Sequence, residues 1–72
     1  MNRPVENATY NLLQTLTSKL EAIEAYEKYE TDSDSELRRF FDECKRSDEQ
    51  SVEQLLQLLG KRLSARQTVG AR

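Results

Sequence analysis

The middle of the chain reads Thr31-Asp32-Ser33-Asp34-Ser35, five short polar residues between two long amphipathic runs. Side chains of this kind hydrogen-bond to nearby backbone groups and are typical of turns and helix caps. Ser33 followed by Glu36 three residues later has the pattern of a capping box, which marks the start of a helix. The stretch therefore predicts a turn near residues 33–34, with a helix on either side of it.

The run before this turn has apolar side chains at every third or fourth position, a spacing that places them on one face of a helix. Pro4 suits the first helical position, because its fixed φ is helical and its missing N–H would have no partner there. The pattern predicts helix 1 from about residue 4 to residue 30. Its face contains Val5, Thr9, Leu12, Leu16, Leu20, Ile23 and Tyr26.

The run after the turn predicts helix 2 over about residues 34–63, ending near Gly60 or one turn later at Leu63. Two helices joined by a few residues give an all-α fold, an antiparallel two-helix hairpin over residues 1–63. Residues 64–72 lack an apolar pattern and are expected to form a flexible basic tail. The second apolar face contains Leu37, Phe40, Phe41, Cys44, Val52, Leu55, Leu56 and Leu59.

Both apolar faces are wider than a single contact between two helices can cover, and a chain of 72 residues buries little surface alone. Pairing two hairpins into a four-helix bundle would gain about 25 cal/mol per Å² of apolar area removed from water. The sequence therefore predicts a homodimer with two-fold symmetry. The expected dimer core is Leu12, Leu16, Ile23, Tyr26, Phe41, Val52, Leu55 and Leu59.

Charge and composition limit the possible partners. The net charge is −2, and all 13 acidic residues precede residue 61, whereas residues 61–72 contain Lys61, Arg62, Arg66 and Arg72. An acidic body argues against nucleic acid, and no stretch approaches the roughly 18 apolar residues of a membrane span. The lone Cys44 cannot form an internal disulfide and indicates a reducing, cytoplasmic setting. Residues 61–72 are either a solvated end or a contact for another protein.

A polar interruption crosses both apolar faces. At 100° per residue, Asp48 points within about 20° of Leu55, and Ser51 lies beside it. In a hairpin that turns at residues 33–34, residues whose numbers add to about 67 are level, and Lys19 and Asp48 meet this rule. Two interpretations stay open. Either they form an internal ion pair, so that Asp48→Ala costs several kcal/mol, or both side chains reach water.

The chain contains the segments 19–26 (KLEAIEAY), 35–41 (SELRRFF) and 47–49 (SDE). Together they resemble the ferritin-like superfamily, especially rubrerythrin-type domains and the short encapsulated ferritins that pair two-helix hairpins. That family has a glutamate seven residues before a tyrosine on helix 1, and Glu-x-x-His on helix 2, facing two irons. Matching the tyrosine to Tyr26 places the glutamate position on Lys19.

This chain lacks the family's full set of iron ligands at the matching positions. The Glu-x-x-His positions fall on Asp48 and Ser51 or, one residue later, on Glu49 and Val52, and the chain has no histidine. An ammonium at Lys19 would also repel a cation at the place where the family binds one. The resemblance therefore implies a ferritin-like hairpin without a metal or another cofactor.

Three functions follow from these observations. The first is a non-catalytic, dimeric helical module with a structural or adaptor role. The alternative is a carboxylate-type, iron-handling protein, whose ligands would be Glu21, Glu24, Asp48 and Glu49. The third is a monomeric hairpin that docks a helix of another protein on one face. Oligomeric state and metal content separate the three.

Overall fold

In a computed structural model, the chain folds into two antiparallel α-helices. The structure describes the backbone of residues 6–70 and the side chains of residues 6–64. Helix α1 is Asn7–Thr31 and helix α2 is Ser35–Gly70, so that residues 32–34 form the loop. The predicted all-α helical hairpin is confirmed, and residues 6–70 contain no strand. Neither helix, over its described length, is long and apolar enough to cross a membrane.

Helix α1 begins later than the sequence pattern indicates. Glu6 has extended backbone angles, φ −70° and ψ 162°, so the first helical residue is Asn7. The expected start at Pro4 lies outside the described residues. The Glu6 carboxylate accepts a hydrogen bond from the Thr9 hydroxyl at 3.2 Å and forms an ion pair with Arg62. Glu6 therefore connects the first turn of α1 to α2 through these two contacts.

The N-terminus of α2 is capped by Asp34 rather than by Ser33, the cap predicted from the sequence. The Asp34 carboxylate accepts a hydrogen bond from the Leu37 backbone N–H at 2.9 Å, and the Asp34 carbonyl accepts one from the Arg38 N–H at 2.9 Å. The Ser33 hydroxyl instead donates a hydrogen bond to the Tyr29 carbonyl at 2.7 Å, and it thereby gives a partner to one of the carbonyl groups at the C-terminal end of α1. Neighbouring aspartate and serine side chains offer similar caps, and the path of the chain decides which one is used.

Helix α2 continues beyond both of its predicted ends. Gly60 has no positive φ, and a Cβ built on it would meet nothing within 4 Å, so it is an ordinary position inside the helix. No proline follows Gly60, and the alanine, arginines and glutamine there are good helix formers. The backbone of residues 64–70, expected to be a flexible tail, is therefore helical. Residues 61–70, here called the overhang, extend beyond the start of α1.

The hairpin is only one layer of helices thick. Its dimensions are 56 × 22 × 13 Å, and a helix with its side chains is about 10–12 Å across. Of the side chains in residues 6–64, the buried ones are Thr9, Leu55 and Leu59, at 1%, 6% and 5% exposure. Large apolar side chains left 39% to 55% exposed are Tyr10, Leu13, Leu20, Tyr29, Leu37, Phe40, Leu56, Leu58 and Leu63.

Aromatic side chains close the turn end of the hairpin. The Tyr26 and Phe41 rings stack with centroids 6.1 Å apart. Tyr29 and Phe40 each place their ring 5.4 Å from the Phe41 ring. The numbers of Tyr26 and Phe41 add to 67, as do those of Lys19 and Asp48, and we call this condition the level rule. The helices therefore keep one register along their contact. Such ring pairs contribute about 0.5–1.5 kcal/mol each beyond the area that they bury.

Candidate functional site

The central polar contact joins Lys19 on α1 to Asp48 on α2. The Lys19 Nζ atom donates a hydrogen bond to the Asp48 Oδ1 atom at 3.1 Å. The Asp48 side chain is 13% exposed, whereas that of Lys19 is 37% exposed. The two side chains named from the sequence therefore form an ion pair across the hairpin, while the lysine keeps contact with water. The structure therefore contains the ion pair of the first interpretation and also the contact of Lys19 with water of the second.

Helical spacing explains why these two side chains meet. Lys19 lies one turn from both Leu16 and Ile23 on the side of α1 that faces α2, and Asp48 lies seven residues after Phe41 on the facing side of α2. Ser51, the third predicted member of a polar layer, is half-buried one turn further along α2.

The eight positions predicted as a core all lie between the two helices of one hairpin. Leu55 and Leu59 are buried. The remaining six are only half-buried, because a single layer cannot cover them from above and below. They are Leu12, Leu16, Ile23, Tyr26, Phe41 and Val52.

A second polar contact, around Lys45, was not expected from the sequence. The Lys45 Nζ atom lies 3.9 Å from Glu27 Oε2 and 4.0 Å from Glu30 Oε2. That Glu30 oxygen is buried and has no hydrogen-bond partner in the structure. The ammonium therefore supplies the compensating charge that a buried carboxylate needs.

The level rule fails to find this contact because it ignores the tilt of side chains. Cα–Cβ bonds lean toward the N-terminus of their helix, which for α2 is the turn end. Lys45 leans in that direction and reaches Glu27 and Glu30, which are closer to the turn than its own backbone. A rule based on backbone position works for short side chains and misses a long lysine.

A third ion pair, between Glu6 and Arg62, joins the helices at the end away from the turn. The numbers of these residues also nearly satisfy the level rule, so this pair was open to prediction. Both side chains are about half exposed, and pairs of that kind contribute about 0–1 kcal/mol. The three contacts lie at the turn end, the middle and the free end. Their physical effect is to favour one register of α1 against α2.

The carboxylates of the metal alternative are not brought together. Glu21, Glu24 and Glu49 are exposed, and Asp48 is engaged by Lys19. Among the residues whose side chains are described, no three aspartate, glutamate or cysteine groups lie close enough to hold a metal ion. Cys44 is a free, half-buried thiol.

Fold and contacts together define an all-α, two-helix hairpin with charged pairs between its helices. No family model matches the chain, and no curated protein and no solved structure is found to match it.

Proposed function

We propose that the chain is a non-catalytic, homodimeric helical module in which two hairpins pair into a four-helix bundle. The observation that supports this most directly is the 13 Å thickness of the hairpin, which leaves its apolar side chains open to water. Isolated exposed leucines are common on proteins, but nine large exposed apolar side chains on only two helices form a substantial apolar surface. A second layer of helices covers such a surface.

The available area is sufficient for a stable dimer. The hairpin is 22 Å wide, and an overlap of roughly 40 Å along its length offers about 900 Å² per copy. Specific interfaces typically bury about 800 Å² on each partner. Two-fold pairing of identical hairpins needs no other chain and is the commonest symmetry of small oligomers.

The polar contacts favour a structural role over a chemical one. The Lys19 ammonium lies on Asp48, so neither group is free to bind a cation or to act alone on a substrate. If the resemblance of the sequence to the ferritin-like superfamily holds, Lys19 also stands where a carboxylate ligand would be. We therefore propose that any kinship with that superfamily concerns the paired hairpins and not the iron chemistry.

Sedimentation equilibrium tests the proposal. Over about 1–100 μM protein, the expected result is a reversible change from the 8.4 kDa chain toward twice that mass. A chain that stays monomeric up to the highest concentration contradicts the proposal and favours a hairpin that docks another protein's helix. Metal analysis of the same sample gives the second readout, since a near-stoichiometric content of iron would support the carboxylate alternative.

A further inference from the structure

Four exposed leucines share one side of the hairpin. They are Leu13 and Leu20 on α1 and Leu56 and Leu63 on α2, with exposures of 39%, 51%, 54% and 46%. Within each pair the residues are seven apart, and a seven-residue step rotates a side chain by only about 20° around the helix. Each pair therefore forms a row along its own helix.

The Lys45 contact shows that the two rows lie on the same side of the layer. Glu27 is seven residues after Leu20, so it continues the row of α1. Lys45 is eleven residues before Leu56, a step that again returns to within about 20° of the same direction. Because Lys45 reaches Glu27 at 3.9 Å, these directions correspond to one side of the hairpin. We call the surface formed by Leu13, Leu20, Leu56 and Leu63 the leucine side.

The net charge changes sign along the hairpin. Toward the turn, the two rows continue into Glu27 on α1 and into Glu49 and Lys45 on α2. In the opposite direction α2 has no acidic residue after Glu53, and its overhang, residues 61–70, contains three basic ones. Residues 21–46, which form the turn half of the hairpin, contain nine acidic and five basic side chains. The turn end is therefore acidic and the free end basic.

We propose that a second copy of the chain covers the leucine side in an antiparallel orientation. The leucines of the two copies then meet around a two-fold axis near residue 12 of α1. The same operation places the overhang of each copy over residues 40–49 of α2 in the other copy, level with residues 18–27 of its α1, and residues 40–49 contain four acidic and two basic side chains. The inference rests on the proposed dimer and specifies its interface and orientation.

Charge and shape both support this orientation. Copies that lie parallel would place acidic turn on acidic turn and basic overhang on basic overhang, and like charges in contact are unfavourable. The opposite side of the layer is a poorer candidate. Its large apolar residues on α2, Phe40 and Leu58, are about 27 Å apart along the helix, and the polar Ser47, Ser51 and Gln54 lie between them.

A pair of matched substitutions tests the interface. Leu56 and Leu58 are two residues apart on α2, are 54% and 45% exposed, and point to opposite sides of the hairpin. Leu56→Gln should raise the dimer dissociation constant about 100-fold, since the two-fold axis removes two leucines from the interface. Leu58→Gln should change it less than about threefold. Circular dichroism of both variants checks that the helices persist.

Distance measurement between spin labels tests the orientation. In a Cys44→Ser background, Asp32→Cys places one label at each turn. Antiparallel copies hold the two labels about 60 Å apart, given the 1.5 Å rise per residue. A separation below about 30 Å would mean that the turns lie together, and the antiparallel orientation would be wrong.

The outcomes distinguish this inference from the proposed dimer. If the unsubstituted chain is monomeric, the proposed function fails and the interface with it. If the chain is dimeric but Leu58→Gln weakens the dimer as much as Leu56→Gln or more, the dimer stands and the leucine side is not its interface.

Discussion

Lys19 and Asp48 show how partial exposure sets the strength of an ion pair. If the two side chains formed an internal ion pair, the sequence predicted a loss of several kcal/mol for Asp48→Ala, a figure that applies to a pair fully removed from water. With 37% of the Lys19 side chain exposed, water screens the attraction and already solvates the ammonium. The pair therefore sets the register of α1 against α2 more than it stabilises the hairpin.

A double-mutant cycle with Lys19→Met and Asp48→Asn measures this contribution. We expect a coupling free energy of about 0.5–1 kcal/mol in urea unfolding, at the upper end of the range for exposed pairs. The pair Arg46 and Asp42 is the control, because its side chains are 74% and 38% exposed. Its coupling should be about 0.3 kcal/mol. A coupling near zero for Lys19 and Asp48 would show that the pair does not hold in solution.

At the scale of the elements, helix ends and helix length depend on single residues. Asp34 begins α2 through its hydrogen bond to the Leu37 N–H, although Ser33 has the better sequence match to a capping box. Gly60, which resembles a C-terminal cap in the sequence, is an interior helical residue without a positive φ. At the start of α2, Ser33 and Asp34 are both suitable caps, and at Gly60 the local sequence allows the helix either to end or to continue.

Removing the cap should destabilise the hairpin. Asp34→Ala is expected to cost about 1 kcal/mol of unfolding free energy, because the first turn of α2 loses a side-chain acceptor. Asp34→Asn keeps an acceptor at the same place and should remain within about 0.5 kcal/mol of the unsubstituted chain. If Ser33→Ala costs more unfolding free energy than Asp34→Ala, Asp34 is not the principal cap of α2.

Gly60→Ala should stabilise the hairpin by about 0.5–1 kcal/mol, since alanine has the higher helix propensity and the added Cβ meets no neighbour. Thermal unfolding followed by circular dichroism measures the change. A destabilising effect would indicate that α2 ends near Gly60 and that the overhang does not continue it.

For the whole molecule, thickness is the governing property. One layer of helices holds its register through aromatic contacts and ion pairs, but it encloses few side chains because each helix has a neighbour on one side only. Small domains that lack disulfides and metals commonly obtain the missing burial by self-association. In the proposed dimer, unfolding and dissociation would be a single equilibrium.

That coupling predicts a melting temperature that depends on concentration. Raising the protein concentration 100-fold should raise the Tm of the unsubstituted chain by several degrees, because mass action adds about 2.7 kcal/mol per hundredfold to a dimer. Leu56→Gln should flatten the dependence over the same range, whereas Leu58→Gln should preserve it. A Tm that does not change with concentration would show that the hairpin unfolds as a monomer.

The sequence by itself determined the two helices and the turn between them, and it placed Lys19 level with Asp48. These follow from the repeat of the helix and from the polar turn, which are local properties that residue numbers express directly. Only the tertiary structure decided that Asp34 is the cap, that Lys45 reaches back to Glu30, and that Leu13, Leu20, Leu56 and Leu63 share one side. Each depends on how the two helices face each other and how side chains tilt between them, which no spacing within a single helix encodes.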